Sequence, residues 1–270
     1  MKVAEPRAVR VLAAPEADIG RDLTGRRILV TGGSSGIGAA SAAALARRGA
    51  CVAVSGRDRA ALAAVAADTG GPAIPADLLA PGAPEELAVR AREVLGGLDT
   101  VVYSAGSGWA GPVADMAPTD IDALIDLNLR APMHLVRAVL PALIARQGGQ
   151  VVLVGSIAGL FGVPREVVYS ATKAGLAGYA DALRAELATT GVVVSLVSPA
   201  AVATSFFDRR NRPYERHWPR PMPVERAAAA VVRCVASGTA DVVVPGWMTL
   251  PARLRGVAPR MYRHLATRFG

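Results

Sequence analysis

From Arg27 to Val244 the chain alternates between short, almost unbroken apolar runs and Ala/Leu-rich segments of helical length. An apolar run without polar alternation has to be buried on both faces, and a helix after each run carries the chain back to begin a parallel neighbour. The pattern predicts strands at Arg27–Thr31, Cys51–Ser55, Ala73–Ala76, Thr100–Ser104, Gln150–Gly155, Val192–Val197 and Asp241–Val244. Helices are expected near 36–48, 58–68, 84–95, 119–146, 165–189 and 223–236. The fold class that follows is α/β: a doubly wound parallel sheet of about seven strands with helices on both faces.

No repeat or low-complexity linker divides the 270 residues, which suits one domain. A loose leader is expected over 1–23, a core domain over 24–246 and an extension over 247–270. The leader carries Glu5, Arg7, Arg10, Glu16, Asp18 and Arg21, unlike a signal peptide. The uncharged stretch from Ala188 to Phe207 contains Gly191 and Pro199 and reads as a buried strand and loop, not a membrane span. A soluble, cytoplasmic protein is therefore expected. Cys51 and Cys234 stand in apolar contexts and read as two reduced, buried thiols. With three histidines and no paired CxxC, no metal site is expected.

The first strand runs into Thr31-Gly32-Gly33-Ser34-Ser35-Gly36-Ile37-Gly38, and an alanine-rich helix follows at once. Glycines there let the backbone turn sharply and approach a pyrophosphate, whose charge the free N–H groups of a helix start can bind. At the end of the second strand Ser55 and Gly56 offer no carboxylate to a ribose 2′-hydroxyl, while Arg57 offers a fork of donors to a 2′-phosphate. NADP(H) is thus preferred over NAD(H). The competing reading makes Arg57 a solvated helix-start residue and Asp58 the N-cap or ribose ligand.

Tyr169-Ser170-Ala171-Thr172-Lys173 places a phenol and an amine one helical turn apart on the same face. A phenol is a poor proton carrier at neutral pH, and a nearby ammonium favours the phenolate. Such a pair can give or accept a proton, and Ser156, at the end of a strand, can polarise a carbonyl beside Tyr169. Lys2 and Lys173 are the only lysines among 30 basic residues, so Lys173 reads as a position that requires an amine, not merely a charge.

Together these residues resemble the short-chain dehydrogenase/reductase family in its NAD(P)(H)-dependent oxidoreductase form, over roughly residues 24–246. The matching positions are Thr31, Gly32, Gly36, Ile37 and Gly38, with Asp77-Leu78 where the family contacts adenine. Ser104-Ala105-Gly106 replaces the family's Asn-Ala-Gly, and Pro199-Ala200 its Pro-Gly, with Val202 and Thr204 where the nicotinamide carboxamide is held. The resemblance implies a Rossmann-like fold and a catalytic tetrad of Asn128, Ser156, Tyr169 and Lys173. It implies cofactor contacts from Gly32, Gly36, Ile37, Gly38, Asp77, Leu78, Ala105, Gly106, Tyr169, Lys173, Pro199, Val202 and Thr204, beside Ser34, Ser35 and Arg57. In the implied reaction NADPH reduces a carbonyl held by Ser156 and Tyr169, Tyr169 donates the proton, and Asn128 anchors a water that relays protons through Lys173. A homodimer or homotetramer through the helices near 119–146 and 165–189 is also implied.

Residues 1–208 carry 18 basic and 19 acidic side chains, whereas residues 209–270 carry 12 arginines against Glu215, Glu225 and Asp241. The excess positive charge is C-terminal and reads either as a solvated face or as attraction to an anionic substrate, acyl carrier or membrane surface. A substrate loop is expected over 205–223, where Phe206, Phe207, Tyr214 and Trp218 mix with Arg209, Arg210, Arg212, Arg216, His217 and Arg220. Beyond Trp247, Leu254, Val257, Met261, Leu265 and Phe269 form an apolar stripe interrupted by Pro259, expected to pack on the pocket or a subunit interface, with peripheral membrane contact as the rival. The leading function is a carbonyl reductase acting on a hydrophobic small molecule, with a ketoreductase for carrier-bound 3-oxoacyl or polyketide chains second. A non-catalytic NADP-binding regulator is a third class, and no nucleic-acid partner is expected, because no recognition motif accompanies the arginines.

Overall fold

The computed structural model describes residues 22–210, 212–215 and 219–262. The leader up to residue 21, Arg216, His217 and Trp218 of the expected loop, and Leu265 and Phe269 of the apolar stripe lie outside these residues.

Seven strands form one parallel sheet: β1 (Arg27–Thr31), β2 (Cys51–Gly56), β3 (Ala73–Pro75), β4 (Thr100–Tyr103), β5 (Gly149–Val154), β6 (Val192–Pro199) and β7 (Asp241–Val244). Their order is β3-β2-β1-β4-β5-β6-β7, with Ile28 paired to both Val52 and Thr100 and Val151 paired to Val194. Helices α1 (Gly36–Ala46), α2 (Arg59–Thr69), α3 (Ala83–Leu95), α4 (Pro118–Ile125), α5 (Ala131–Ala145), α6 (Ile157–Phe161), α7 (Val167–Glu186), α8 (Phe206–Arg209), α9 (Val224–Ser237) and α10 (Thr249–Val257) complete the chain.

The two-residue period of a strand sends alternate apolar side chains to opposite faces, and both faces are covered. Ile28, Val30, Val52 and Val54 pack with Leu45, Leu62 and Val231 of α1, α2 and α9. Leu29, Val101 and Leu153 pack with Leu87, Leu135, Val139 and Leu176 of α3, α5 and α7. The strand order reverses direction at β1 and β4, which opens a crevice at the carboxyl ends of the strands.

Two expectations need correction. The helix expected over 119–146 contains a π turn at Asp126–Arg130 between α4 and α5. Pro132 has no N–H to donate to the carbonyl four residues back, that of Asn128, and the regular hydrogen-bond sequence gives way beside it. Cys51, expected to be buried, is exposed, because it opens β2 outside the part of the sheet that the helices cover; Cys234 is buried. Of the C-terminal stripe, Leu254, Val257 and Met261 are described, and Leu254 lines the cleft. Pro259 disfavours a helical Ala258, α10 ends there, and Leu254 is partly buried while Val257 and Met261 are exposed.

Candidate active site

The glycine turn lies between β1 and α1 and is too tightly packed for side chains at two positions. Gly32 has φ +64°, and a Cβ there would lie 2.8 Å from the Ala105 nitrogen. A Cβ on Gly38 would run into the Gly32 carbonyl. Thr31 Oγ1 accepts from the N–H groups of Ser104 and Ala105 at 3.1 and 3.2 Å, tying the loop after β4 to the end of β1. Ser35, the N-cap of α1, makes no side-chain cap, so the first amides of α1 are left for a ligand. This bare, uncapped cradle fits the diphosphate of a dinucleotide.

The end of the cleft beside β2 is defined in the same way. Asp58 caps α2 by accepting from Ala61 N at 3.0 Å, and Arg57 is the basic side chain at this end of the cleft. Ser34 sits against β2: a Cβ on Gly56 would lie 3.0 Å from its Oγ. Asp77, Leu78, Ala105, Gly106, Pro199, Val202 and Thr204 line the same cleft of about 1410 Å³, with Gly32, Ser34, Ser35, Gly36, Ile37 and Gly38.

Ser156, Tyr169 and Lys173 converge midway along this cleft. Ser156 lies two residues after β5 and caps α6, its Oγ accepting from Ala158 N at 3.1 Å while its proton remains available to donate. Gly159 allows α6 to press on α7, since a Cβ there would lie 2.5 Å from the Lys173 carbonyl carbon. Tyr169 is buried, and burial pushes its phenol up to about 12, opposed by the hydrogen bond with Ser156. Lys173 donates to the Val154 carbonyl at 3.0 Å and lies 5.8 Å from the Tyr169 ring centroid. Burial lowers its ammonium to about 8. In this state the phenol keeps its proton firmly while the amine holds its own only weakly.

Asn128 stands one layer behind, fully buried and off the cleft wall. Its Oδ1 accepts from Ser107 N at 3.0 Å and its Nδ2 donates to Ser107 O at 2.9 Å and to Thr172 Oγ1 at 3.3 Å. Thr172 in turn donates to the Tyr169 carbonyl at 2.8 Å.

The family model for short chain dehydrogenases matches residues 26–215. The chain belongs to that family. Among curated relatives, the ketoacyl reductase HetN of Nostoc sp. is 35% identical over 227 residues, covering 82% of this chain and 79% of that protein. Nodulation protein G of Rhizobium meliloti is 33% identical over 207 residues, covering 76% and 84%. A solved short-chain dehydrogenase from Sphingobium yanoikuyae, in complex with NADPH, superposes with a TM-score of 0.77 at 29% identity, covering 87% of this chain and 96% of that one. This short-chain dehydrogenase is thus an NAD(P)-binding oxidoreductase of Rossmann-like fold.

The far end of the dehydrogenase's cleft is apolar, walled by Phe161, Phe206, Phe207, Trp247, Leu254 and Tyr262. Phe206 packs on Tyr169 with ring centroids 5.7 Å apart. The described part of the extension closes this end, with Arg255 and Tyr262 donating to the carbonyls of Leu160 and Phe161. Sequence reasoning did not single out Ser107, Glu166 or the structural part played by Thr172. Their partners lie 21 to 44 residues away, and no local spacing announces them. Among the described residues no helix is long and apolar enough to cross a membrane.

Proposed function

We propose that this dehydrogenase is an NADP(H)-dependent carbonyl reductase for a hydrophobic ketone, working through Ser156, Tyr169, Lys173 and Asn128. The observation that carries the reading is the meeting of Ser156, Tyr169 and Lys173 where the glycine-lined cradle opens into the apolar end of one cleft. Gly32, Ser34, Ser35, Gly36, Ile37 and Gly38 would hold the phosphates and ribose, with Asp77 and Leu78 at the adenine and Ala105, Gly106, Pro199, Val202 and Thr204 along the nicotinamide half. Arg57, which has no ion-pair partner among the described residues, would meet the 2′-phosphate.

When bound, NADPH supplies the hydride that reduces the carbonyl carbon. Ser156 directs its O–H at the carbonyl oxygen, and Tyr169 gives that oxygen its proton. Phe206 excludes water from the phenol. Lys173 returns a proton toward Tyr169 and holds the ribose. Asn128 fixes the loop after β4 and Thr172 through its side chain, and its main-chain carbonyl, which Pro132 cannot engage, anchors the water of the relay. Assembly as a dimer or tetramer through α4, α5 and α7 belongs to the same proposal.

A second reading, reduction of a carrier-bound 3-oxoacyl chain, is favoured by the ketoacyl reductase name of the Nostoc relative and by the basic C-terminal region. The experiment is a titration with NADPH and NADH, followed by NADPH oxidation against steroids, aromatic ketones and 3-oxoacyl thioesters. Tighter NADPH binding with turnover of free ketones supports the proposal, and a strong preference for thioesters supports the second reading. Equal affinity for the two dinucleotides removes the NADP preference, and binding without turnover anywhere in the panel moves the chain toward a regulator.

A further inference from the structure

Arg209, the last residue of α8, reaches back across the cleft to Ser35 at the start of α1. Its Nη1 and Nη2 both lie 3.4 Å from Ser35 Oγ, and Nη1 donates to Ser205 Oγ at 2.8 Å. A guanidinium offers five donors and seeks an anion, yet these partners are neutral hydroxyls. Among the described residues no carboxylate pairs with Arg209, whereas the adjacent Arg210 is paired with Glu166 at 2.6 Å. The location adds to the imbalance. The unpaired amides at the N-terminus of α1 already present partial positive charge, so a cation held beside them is repelled unless an anion lies between the two. The two serines of the glycine turn also face different ways, Ser34 toward Gly56 at the adenosine end and Ser35 toward Arg209.

We propose that Arg209 is a phosphate-binding residue, supplying from the α8 side a grip on the diphosphate that the α1 N-terminus cradles. The proposal rests on the dinucleotide reading above and deepens it. Arg57 and Arg209 then divide the dinucleotide's negative charge, Arg57 taking the 2′-phosphate peculiar to NADP(H) and Arg209 the diphosphate common to both dinucleotides. Because α8 also carries Phe206 against Tyr169, the diphosphate contact ties the apolar cover over the proton donor to the presence of cofactor.

The test is a fluorescence titration of the full chain and of R209Q, R209K and R57Q with NADPH, NADH and 2′-AMP, which has the adenosine 2′-phosphate and no diphosphate. R209Q should weaken NADPH and NADH alike by about tenfold, the loss of one or two charge-assisted hydrogen bonds, and leave 2′-AMP binding unchanged. R209K should recover part of that loss as a point charge. R57Q should weaken NADPH and 2′-AMP and spare NADH. Arg209 is exposed, so all variants should melt with the wild type. Unchanged NADPH affinity in R209Q overturns the proposal, as does an equal loss for 2′-AMP. Tighter binding also overturns it, since Arg209 would then be a latch that cofactor must displace. A wild type that binds neither dinucleotide defeats the cofactor reading itself, whereas a binding wild type matched by R209Q defeats only the role of Arg209.

Discussion

Arg210, the residue after α8, and Glu166, the residue before α7, form an ion pair of 2.6 Å, with side chains only 6% and 14% exposed. The Arg210 guanidinium also lies 4.7 Å from the Phe207 ring centroid. Glu166 accepts this bond one helical turn before Tyr169, so a buried ion pair joins the helix that bears the phenol to the segment that covers it, beside the ring contact of Phe206 with Tyr169.

Replacing Glu166 by Gln removes the negative charge that Glu166 sets against the buried Arg210. Breaking such a pair costs about 3–5 kcal/mol, and the carbonyls of Arg212 and Pro213, still bonded to Arg210, place this case at roughly 2–3 kcal/mol. Urea unfolding of E166Q should show that loss, together with a raised KM for ketone as α8 loses its anchor. Wild-type stability in E166Q would exclude the contact as an anchor.

Tyr169→Phe removes the proposed proton donor and little packing. Turnover should fall by about 10³-fold, within the range that general acid catalysis contributes, while NADPH affinity stays within about twofold. Steady-state kinetics and fluorescence titration on the same preparation check both, and substantial turnover in Y169F would eliminate the mechanism.

Burial brings Lys173 from 10.5 down to about 8. Between those values an unfolded lysine keeps its proton and the folded one does not, so the unfolded state binds more protons and the contribution of this group to stability rises with pH. Below about pH 8 both states are protonated and the folded chain bears the cost of a buried charge. The difference in unfolding free energy between wild type and K173M should therefore shift in favour of the wild type by about 2 kcal/mol from pH 7.5 to 9.5. Over the same window kcat/KM for ketone reduction should decline with an apparent pKa near 8, because the ammonium is the form that supports Tyr169. A flat profile would remove Lys173 from the proton path.

Asn128→Ala strands the N–H and the carbonyl of Ser107, at a cost of about 3 kcal/mol. Asn128→Asp should fail to restore it, since a carboxylate can accept from the Ser107 N–H but cannot donate to its carbonyl. Thermal melts should place both variants well below the wild type, and a melt of N128D at the wild-type temperature would show that the donated bond carries no weight.

The strands were readable because a parallel strand buried on both faces writes itself as an apolar run, and β1 and β7 have the bounds that the runs predicted. Tyr169 and Lys173 were readable because helical spacing alone puts them together. Glu166 and Arg210 were not, because 44 residues separate them and only the packing of α8 on α7 brings them into contact. The π turn was hidden for another reason: Pro132 signals a missing donor, but whether a helix absorbs that loss by kinking or by widening depends on what it packs against. Cys51 shows the limit of reading burial from composition, since an apolar neighbourhood in sequence says nothing about where the covering helices stop.

The π turn at Asp126–Arg130 holds one residue more than an α-helical turn needs. Deleting any one of the five would remove the surplus residue, yet it would rotate α4 by about 100° relative to α5. Because α4 packs against α7, that rotation would carry Leu124 away from its buried position and move Asn128 off Ser107 and Thr172. The irregularity is thus a phase setting between two helical faces. A lineage could repair the turn only by rewriting the apolar pattern of α4 in the same step, so single-residue deletions in this short stretch should be far less tolerated than substitutions at its exposed Arg130.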